Sequence, residues 1–250
     1  IKETIKLKDN QVTQINIDSV GEPSAYPKIV ELIKALKSFP TIKEVTMQSN
    51  GTLLSPNLIA QLESAGLDRI NFSVHSLNEE FSKYLFGSQN YNINKILKTL
   101  ELVNNSKIEL NLTPVLLPGL NDKDIEDIIQ LAKKLNCKIS IQKYEVFKYS
   151  RKEKKTKEIN WYKFYRKLEE LEKKFDIKLK LGPTDFKISK SKKVPLVMQR
   201  DDRLKARVVM PGWLKNEMVA IANNRSITVL DCNNKINDIV NIKILNSSKI

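Results

Sequence analysis

Side chains able to bind a ligand collect where the apolar runs of this chain end. Gly21-Glu22-Pro23 follows the apolar run 12–18, and Gln48-Ser49-Asn50-Gly51 follows 43–48. Ser73-Val74-His75-Ser76 ends the next run, Asn111 interrupts a fourth, and Gln142 and Tyr144 lie in a fifth. These are carboxylate, amide and hydroxyl groups, suited to holding a small polar ligand by hydrogen bonds. Each has a plainer reading as well. Asn50-Gly51 is a turn signal. Glu22, held extended by Pro23, could cap the following helix. His75, the only histidine, fits a hydrogen-bonded structural residue better than a catalyst. Asn111 inside an apolar strand needs a partner, which a bound ligand could supply. No Ser–His–Asp set, paired-acid motif or phosphate loop competes. No catalytic side chain is singled out, and none of these residues forms a metal-ligand set.

The elements that must position these groups alternate. Strand patterns at 12–18, 43–48, 69–74, 107–116 and 138–146 are separated by helix patterns at 28–38, 56–65, 78–85, 92–103 and 124–135. Ser55-Pro56 and Asn121-Asp122 read as helix starts, and Ala65-Gly66 as a stop. Such alternation gives a parallel sheet with helices packed outside it, and the polar clusters then share its carboxyl-terminal rim. Ile1 is no initiator, and only 21 residues precede Glu22. The expectation is a barrel whose first strand–helix unit lies upstream of Ile1.

Composition fixes the class. With 41% hydrophobic and 29% charged residues, the 250-residue chain is globular, with room for one large core and a small appended domain. No apolar run approaches the length of a transmembrane helix. Cys137 and Cys232 are isolated, so they make neither a disulfide framework nor a cluster site, and the expected setting is a reduced cytoplasm. The net charge of +14 is confined to one region. Residues 1–145 hold 17 Lys and Arg against 17 Asp and Glu, whereas residues 146–250 hold 26 against 12. That asymmetry points to a polyanionic partner for the C-terminal part, beside the plainer reading of a solvated lysine-rich surface.

Gly21-Glu22-Pro23, then Gln48-Ser49-Asn50-Gly51-Thr52, then Arg69-Ile70-Asn71-Phe72-Ser73-Val74-His75-Ser76, in this order and spacing, resemble the radical S-adenosylmethionine superfamily. Leu116-Leu117-Pro118-Gly119 before Asn121-Asp122 fits its fifth unit. The resemblance covers roughly residues 10–147. It implies a partial (β/α)6 barrel that holds S-adenosylmethionine against a [4Fe–4S] cluster, which cleaves the cofactor reductively to a 5′-deoxyadenosyl radical. By the same resemblance, Gly21, Glu22 and Pro23 offer backbone groups to the cofactor's amino group. Ser49 and Asn50 lie near its methionine moiety, Ser73 near its ribose, Asn111 near ribose or carboxylate, and Gln142 or Tyr144 on the adenine side. The family's C-x3-C-x2-C cluster loop is missing from this sequence, and its ligands are expected upstream of Ile1. An electron donor for the cluster is implied.

The C-terminal part reads differently. Residues 148–157 form a basic exposed loop, and 160–175 an amphipathic helix with Trp161, Phe164, Tyr165, Leu168 and Leu171 on one stripe, expected to pack against the barrel. After residue 193, short strands at 203–210, 218–222, 226–231 and 239–245 are separated by Pro211-Gly212, Asn223-Asn224 and Asn233-Asn234. The expected division is therefore 1–192, barrel with helical extension, and 193–250, a small all-β barrel. That segment resembles an OB-like TRAM domain of archaeal type. Arg200, Arg203, Lys205, Arg207, Lys215 and Arg225 would give it a positive face for RNA. The combined expectation is an α/β radical S-adenosylmethionine enzyme modifying RNA, most plausibly tRNA. A radical enzyme acting on a protein or small molecule, and a non-catalytic RNA-binding module, are the alternatives.

Overall fold

A computed structural model describes residues 5–6, 8–19, 21–146, 152–190, 192–212, 214 and 216–247. It divides into two compact units, Val12–Ser189 and Ile1–Gln11 with Lys190–Ile250. The first residues thus group with the C-terminal segment, unlike the expected 1–192 division. Lys192 makes that connection: its ammonium lies 2.6 Å from Asp9 Oδ2, and its backbone N–H donates to Gln11 Oε1.

In the larger unit, β1 (Thr13–Ile17), β2 (Ile42–Ser49), β3 (Arg69–Phe72), β4 (Glu109–Leu112) and β6 (Lys138–Ile139) form one sheet in the order β1-β2-β3-β4-β6, parallel throughout. The expected fourth and fifth strands are each interrupted. Pro114, which has no N–H to donate, separates β4 from β5 (Val115–Leu116), and β7 (Gln142–Lys143) follows β6 after a two-residue break. Ser140 N–H to Leu112 O and Gln142 N–H to Pro114 O carry the pairing across both breaks. Each strand neighbours the next in sequence. Right-handed crossovers then place all the connecting helices on one face.

The helices are α1 (Ile29–Lys37), α2 (Pro56–Ala65), α3 (Glu79–Phe86), α4 (Ile93–Asn104), α5 (Asp122–Leu135) and α6 (Trp161–Phe175). Side-chain caps start four of them: Ser55, Asn78, Asn92 and Asn160 each accept the backbone N–H three residues on. Their apolar stripes, such as Ile33 and Leu36, Ile96 and Leu100, Ile125 and Ile129, cover Val45, Met47, Ile70, Phe72, Leu110, Leu112 and Ile139, all buried on the outer side of the sheet. Of the stripe on α6, Phe164, Leu168 and Leu171 are buried as expected, but Trp161 and Tyr165 are exposed.

Among the described residues, two buried side-chain atoms have no hydrogen-bond partner, Arg69 Nε and the Tyr91 hydroxyl. Tyr91 is 1% exposed, stacks on Phe86 at 4.2 Å between ring centroids, and gives its hydroxyl no partner. Burial raises the phenol's pKa well above its ordinary value. Tyr91→Phe keeps the ring and removes the unsatisfied oxygen. It is expected to raise stability by about 1 kcal/mol in urea unfolding; a loss of that size would mean that the hydroxyl is satisfied.

The smaller unit holds four antiparallel strands, β8 (Arg203–Pro211), β9 (Met218–Ala222), β10 (Arg225–Val229) and β11 (Ile239–Lys243), in the order β10-β9-β8-β11. Asn223 and Asn224, both at positive φ, make the two-residue hairpin turn between β9 and β10. Ala206, Val208, Ala220, Ala222 and Cys232 form its core with Leu204, Met218, Ile227, Val229, Val240 and Ile242. The four-stranded antiparallel sheet, with β10 and β11 as the outer strands of that order, agrees with the expected small all-β unit. No helix among the described residues is long and apolar enough to cross a membrane.

Candidate functional site

On the inner face of the parallel sheet, every second residue of each strand is polar, and these residues form tiers. At the amino-terminal ends lies a charged tier. Arg69, 5% exposed, pairs with Glu44 and lies 3.8 Å from Glu109 Oε2, and Lys138 sits 2.5 Å from the other Glu109 oxygen. Two cations meet two carboxylates, so the tier is neutral overall. Phe186 closes beneath it, with the Arg69 guanidinium 4.8 Å and the Lys138 ammonium 5.2 Å from its ring centroid.

Above it runs a ladder of uncharged groups across four neighbouring strands and the end of β6. Thr46 donates to Asn16 Oδ1 at 2.8 Å, Asn71 to the same oxygen at 3.4 Å, Asn111 to Asn71 Oδ1 at 2.9 Å, and Ser140 to Asn111 Oδ1 at 3.0 Å. The next tier is Gln48, whose amide donates to Ser73 Oγ at 3.3 Å and Thr113 Oγ1 at 3.1 Å. Asn111 therefore has its partners within the sheet. No side chain of these two upper tiers titrates near neutral pH, so the face can orient a ligand but not exchange protons with it.

The rim carries Glu22, which receives four hydrogen bonds. Oε1 accepts from Ser24 N–H (3.1 Å), Ser24 Oγ (2.6 Å) and Ser49 Oγ (2.8 Å), and Oε2 accepts from Asn50 N–H (2.7 Å). Glu22 also caps the short helical turn Pro23–Ala25, so its plainer reading holds, but it further ties the loop after β1 to the end of β2. Gly21 is exposed, and a Cβ there would meet nothing within 4 Å. Asn50 Oδ1 accepts from Thr52 N–H and Oγ1, which makes the segment a turn. Gln142 and Tyr144 lie apart from Glu22 and Asn50 in chain and strand order. They line a cleft of about 530 Å³ beside β7, with Ser140, Phe186 and the exposed Trp161 and Tyr165 of α6. The Tyr144 hydroxyl accepts from Glu153 N–H.

His75 is structural. Its Nδ1 accepts from Val115 N–H at 3.2 Å, and its ring stacks on Phe86. Burial pulls its pKa down to about 4 from 6.5. The unfolded chain takes up this proton near pH 6.5 and the folded chain only near 4. The stability that neutral His75 contributes is therefore complete above pH 6.5 and is lost as pH falls from there towards 4, by about 2–3 kcal/mol. As the single histidine, it gives one imidazole NMR signal; a midpoint near 4 is expected, and a midpoint near 6.5 would refute its burial. Asn121, expected as a helix cap, makes no such bond. Fully buried, it instead accepts from Leu117 N–H at 2.7 Å and donates to Val115 O and His75 O, bracing the rim after β5.

Neither cysteine suits a cluster. Burial pushes the Cys137 thiol up to about 12, and Cys232 is buried in the core of the smaller unit. No group of three metal-binding side chains occurs among the described residues. The polar groups present fit S-adenosylmethionine chemically: the inner face offers neutral amides and hydroxyls, and Glu22 at its rim offers an acceptor carboxylate.

In the smaller unit, burial alternates along β8, so Arg203, Lys205 and Arg207 share the exposed face and Leu204, Ala206 and Val208 the core. Arg225 shares the opposite face with Ile227 and Val229 and donates to Pro195 O and Asn224 O. Arg200 is exposed before β8. Lys215 lies outside the described residues. The inner-face residues Asn16, Thr46, Asn71 and Ser140 were not among the expected site residues, although their signal, a polar residue at alternate positions of successive strands, is present in the sequence.

Known proteins match this architecture. The chain is 35% identical over 270 residues to an uncharacterized protein of Methanocaldococcus jannaschii, an alignment covering 98% of this chain and 62% of that protein. It is 38% identical over 126 residues to the GTP 3′,8-cyclase of Alkaliphilus oremlandii, covering 47% of this chain and 37% of the relative. The chain thus spans less than two thirds of the length of either relative. Among solved structures, Streptococcus suis SuiB bound to S-adenosylmethionine superposes with a TM-score of 0.57 at 17% identity, over 70% of this chain and 39% of that one, which is a likeness of fold. S-adenosylmethionine and a [4Fe–4S] cluster are the cofactors of the superfamily whose sequence profile matches residues 1–132. The chain belongs to the radical SAM superfamily.

Proposed function

We propose that this protein is a radical S-adenosylmethionine enzyme that modifies RNA, with tRNA as the substrate class. The observation that carries the enzymatic reading is the inner face itself: two uncharged hydrogen-bonding tiers above a neutralised ion network, with Glu22 at the rim. In the family, the cluster supplies reductive cleavage of the cofactor to a 5′-deoxyadenosyl radical. Cys137 and Cys232 do not fit that cluster, so its ligands are assigned to residues outside these 250, as the greater length of the relatives allows. Within this chain, Glu22 Oε2 accepts one hydrogen bond and keeps a lone pair for the cofactor's ammonium. Backbone groups of Gly21 to Pro23, with Ser49 and Asn50, hold the methionine end, and Ser73 and Asn111 the ribose. Gln142 and Tyr144 take the adenine side. A partial (β/α)6 barrel and an OB- or TRAM-like C-terminal unit remain the finer fold assignment. The RNA reading rests on the confinement of the +14 charge to residues 146–250 and on the cations of β8.

A free guanosine nucleotide as substrate is the second reading, favoured by the relatives named GTP 3′,8-cyclase. Their alignments cover less than half of this chain. The test is anaerobic incubation of the full-length protein with S-adenosylmethionine and dithionite, with RNA or GTP added. Formation of 5′-deoxyadenosine stimulated by RNA is expected. Stimulation by GTP alone would move the substrate to the second reading, and no 5′-deoxyadenosine from iron-loaded protein would remove both.

A further inference from the structure

We propose that the exposed face of β8 and β11 is a binding strip for single-stranded RNA, with its phosphates along one row of cations. The strip rests on the RNA reading above, and it specifies where and in what form the RNA binds. Arg203, Lys205 and Arg207 project from alternate positions of a single strand, roughly 6–7 Å apart. Lys243 is paired across the ladder with Arg203 and adds a fourth cation to the same face. None of the three β8 cations has a carboxylate partner among the described residues; Arg207 reaches only the Asn237 side-chain oxygen, at 3.4 Å. Lys243 alone is paired, with Asp201 at 2.7 Å, and both side chains are at least half exposed. An exposed ion pair of that kind is worth little and exchanges readily for a phosphate.

The face beside the row is neutral. Ile239 and Ile221 flank Arg207 from the two neighbouring strands, 61% and 41% exposed. Asn241, Ser226 and Thr228 complete it with an amide and two hydroxyls. A straight cation row bordered by an aliphatic and hydroxyl shelf fits an extended strand, its phosphates on the row and its bases over the shelf. With no aromatic side chain on this face among the described residues, binding depends on charge more than on base identity. Arg225 lies on the opposite face and takes no part.

The experiment uses full-length protein and a labelled single-stranded RNA of about 12 nucleotides. Four neutralised phosphates predict roughly a 50-fold loss of affinity between 50 and 200 mM salt. Arg203, Lys205 and Arg207 replaced together by Ala should reduce that loss to about 3-fold, as one phosphate contact remains. A control variant loses the same charge elsewhere, with Ala at Lys98, Lys163 and Lys173, all exposed on helices, and should keep the parental slope. Circular dichroism of each variant checks folding, and Arg203→Gln alone, flattening the slope by about one contact, gives a milder second variant. Equal slopes for the strip and control variants, or equal affinity for heparin and RNA, would overturn the strip while RNA remains a substrate candidate. No RNA binding by the parent protein at either salt would remove the RNA reading and the strip with it.

Discussion

Gly51→Ala is expected to destabilise the protein by about 3 kcal/mol or more. Two costs add. Gly51 sits at φ +76, where an L side chain is strained by about 1 kcal/mol or more. A Cβ there would also lie 2.0 Å from Phe72 Cζ, with two more ring carbons inside 3.0 Å. Phe72 is fully buried between the sheet and its helices, so its ring has no free direction in which to yield, and overpacking of this kind costs about 1–3 kcal/mol. The two costs separate in a double mutant: Phe72→Leu shortens the side chain and should recover the steric part in Gly51→Ala while leaving the backbone strain. Urea unfolding of the four proteins measures this. Additive losses, with no recovery in the double mutant, would show that the ring is not what demands glycine.

This residue also shows what the sequence made legible. Asn50-Gly51 at the end of an apolar run identified a turn from local chemistry alone. The reason glycine is required there lies on β3, more than twenty residues away, and no local pattern reports it. The strand and helix positions followed the same division. Uninterrupted apolar periodicity located β1, β2 and β3 to within a residue or two at either end. The long patterns at 107–116 and 138–146 split into two short strands each, because Pro114 withdraws a donor and Ser140 to Gln142 must bend to keep the ladder paired. In the smaller unit the strands were legible and their order was not. Alternation marks which residues face a core, but not which strands lie side by side.

The site was legible as a rim and missed as a face. Glu22, Asn50 and Ser73 stand at strand ends beside turn residues, where polar groups are conspicuous. Asn16, Thr46, Asn71 and Ser140 sit inside runs that read as half-apolar strands. Their meaning appears only when register brings them side by side: Asn16 opposite Thr46, and Asn71 opposite Asn111. Asn121 misled for a related reason. Asn before an acidic pair is a sound cap signal, but burial turned its amide inward, where three backbone groups needed partners more than the first turn of α5 did.

Glu22→Gln is expected to cost about 2–3 kcal/mol and to weaken S-adenosylmethionine binding in the reconstituted full-length protein. The carboxylate is an acceptor-only group that meets four donors, two of them backbone N–H groups of half-buried or buried residues. Glutamine keeps the size and replaces one acceptor oxygen by a donor. With its NH2 towards Asn50, two N–H groups face each other and a backbone donor is left unpaired. With the NH2 towards Ser24 and Ser49, the hydroxyls can turn to accept, but the Ser24 N–H cannot. Either orientation strands one backbone donor and loses the charge-assisted component of the others, each worth about 1.5–3 kcal/mol. Partial exposure of Glu22 to water keeps the total towards the lower end of their sum. Ser49→Ala should cost about 1 kcal/mol, because the same hydroxyl also accepts from Gly51 N–H at 3.0 Å. Glu22→Gln combined with Ser49→Ala should then fall short of the sum of the two, since the shared bond is lost once. Urea unfolding measures the structural part and calorimetry with S-adenosylmethionine the binding part. Parental stability with lost binding would make Glu22 a cofactor ligand alone; lost stability with parental binding would make it a brace between β1 and β2 alone. On the proposed reading, in which Oε1 is held by the protein and Oε2 keeps a lone pair for the cofactor's ammonium, both fall.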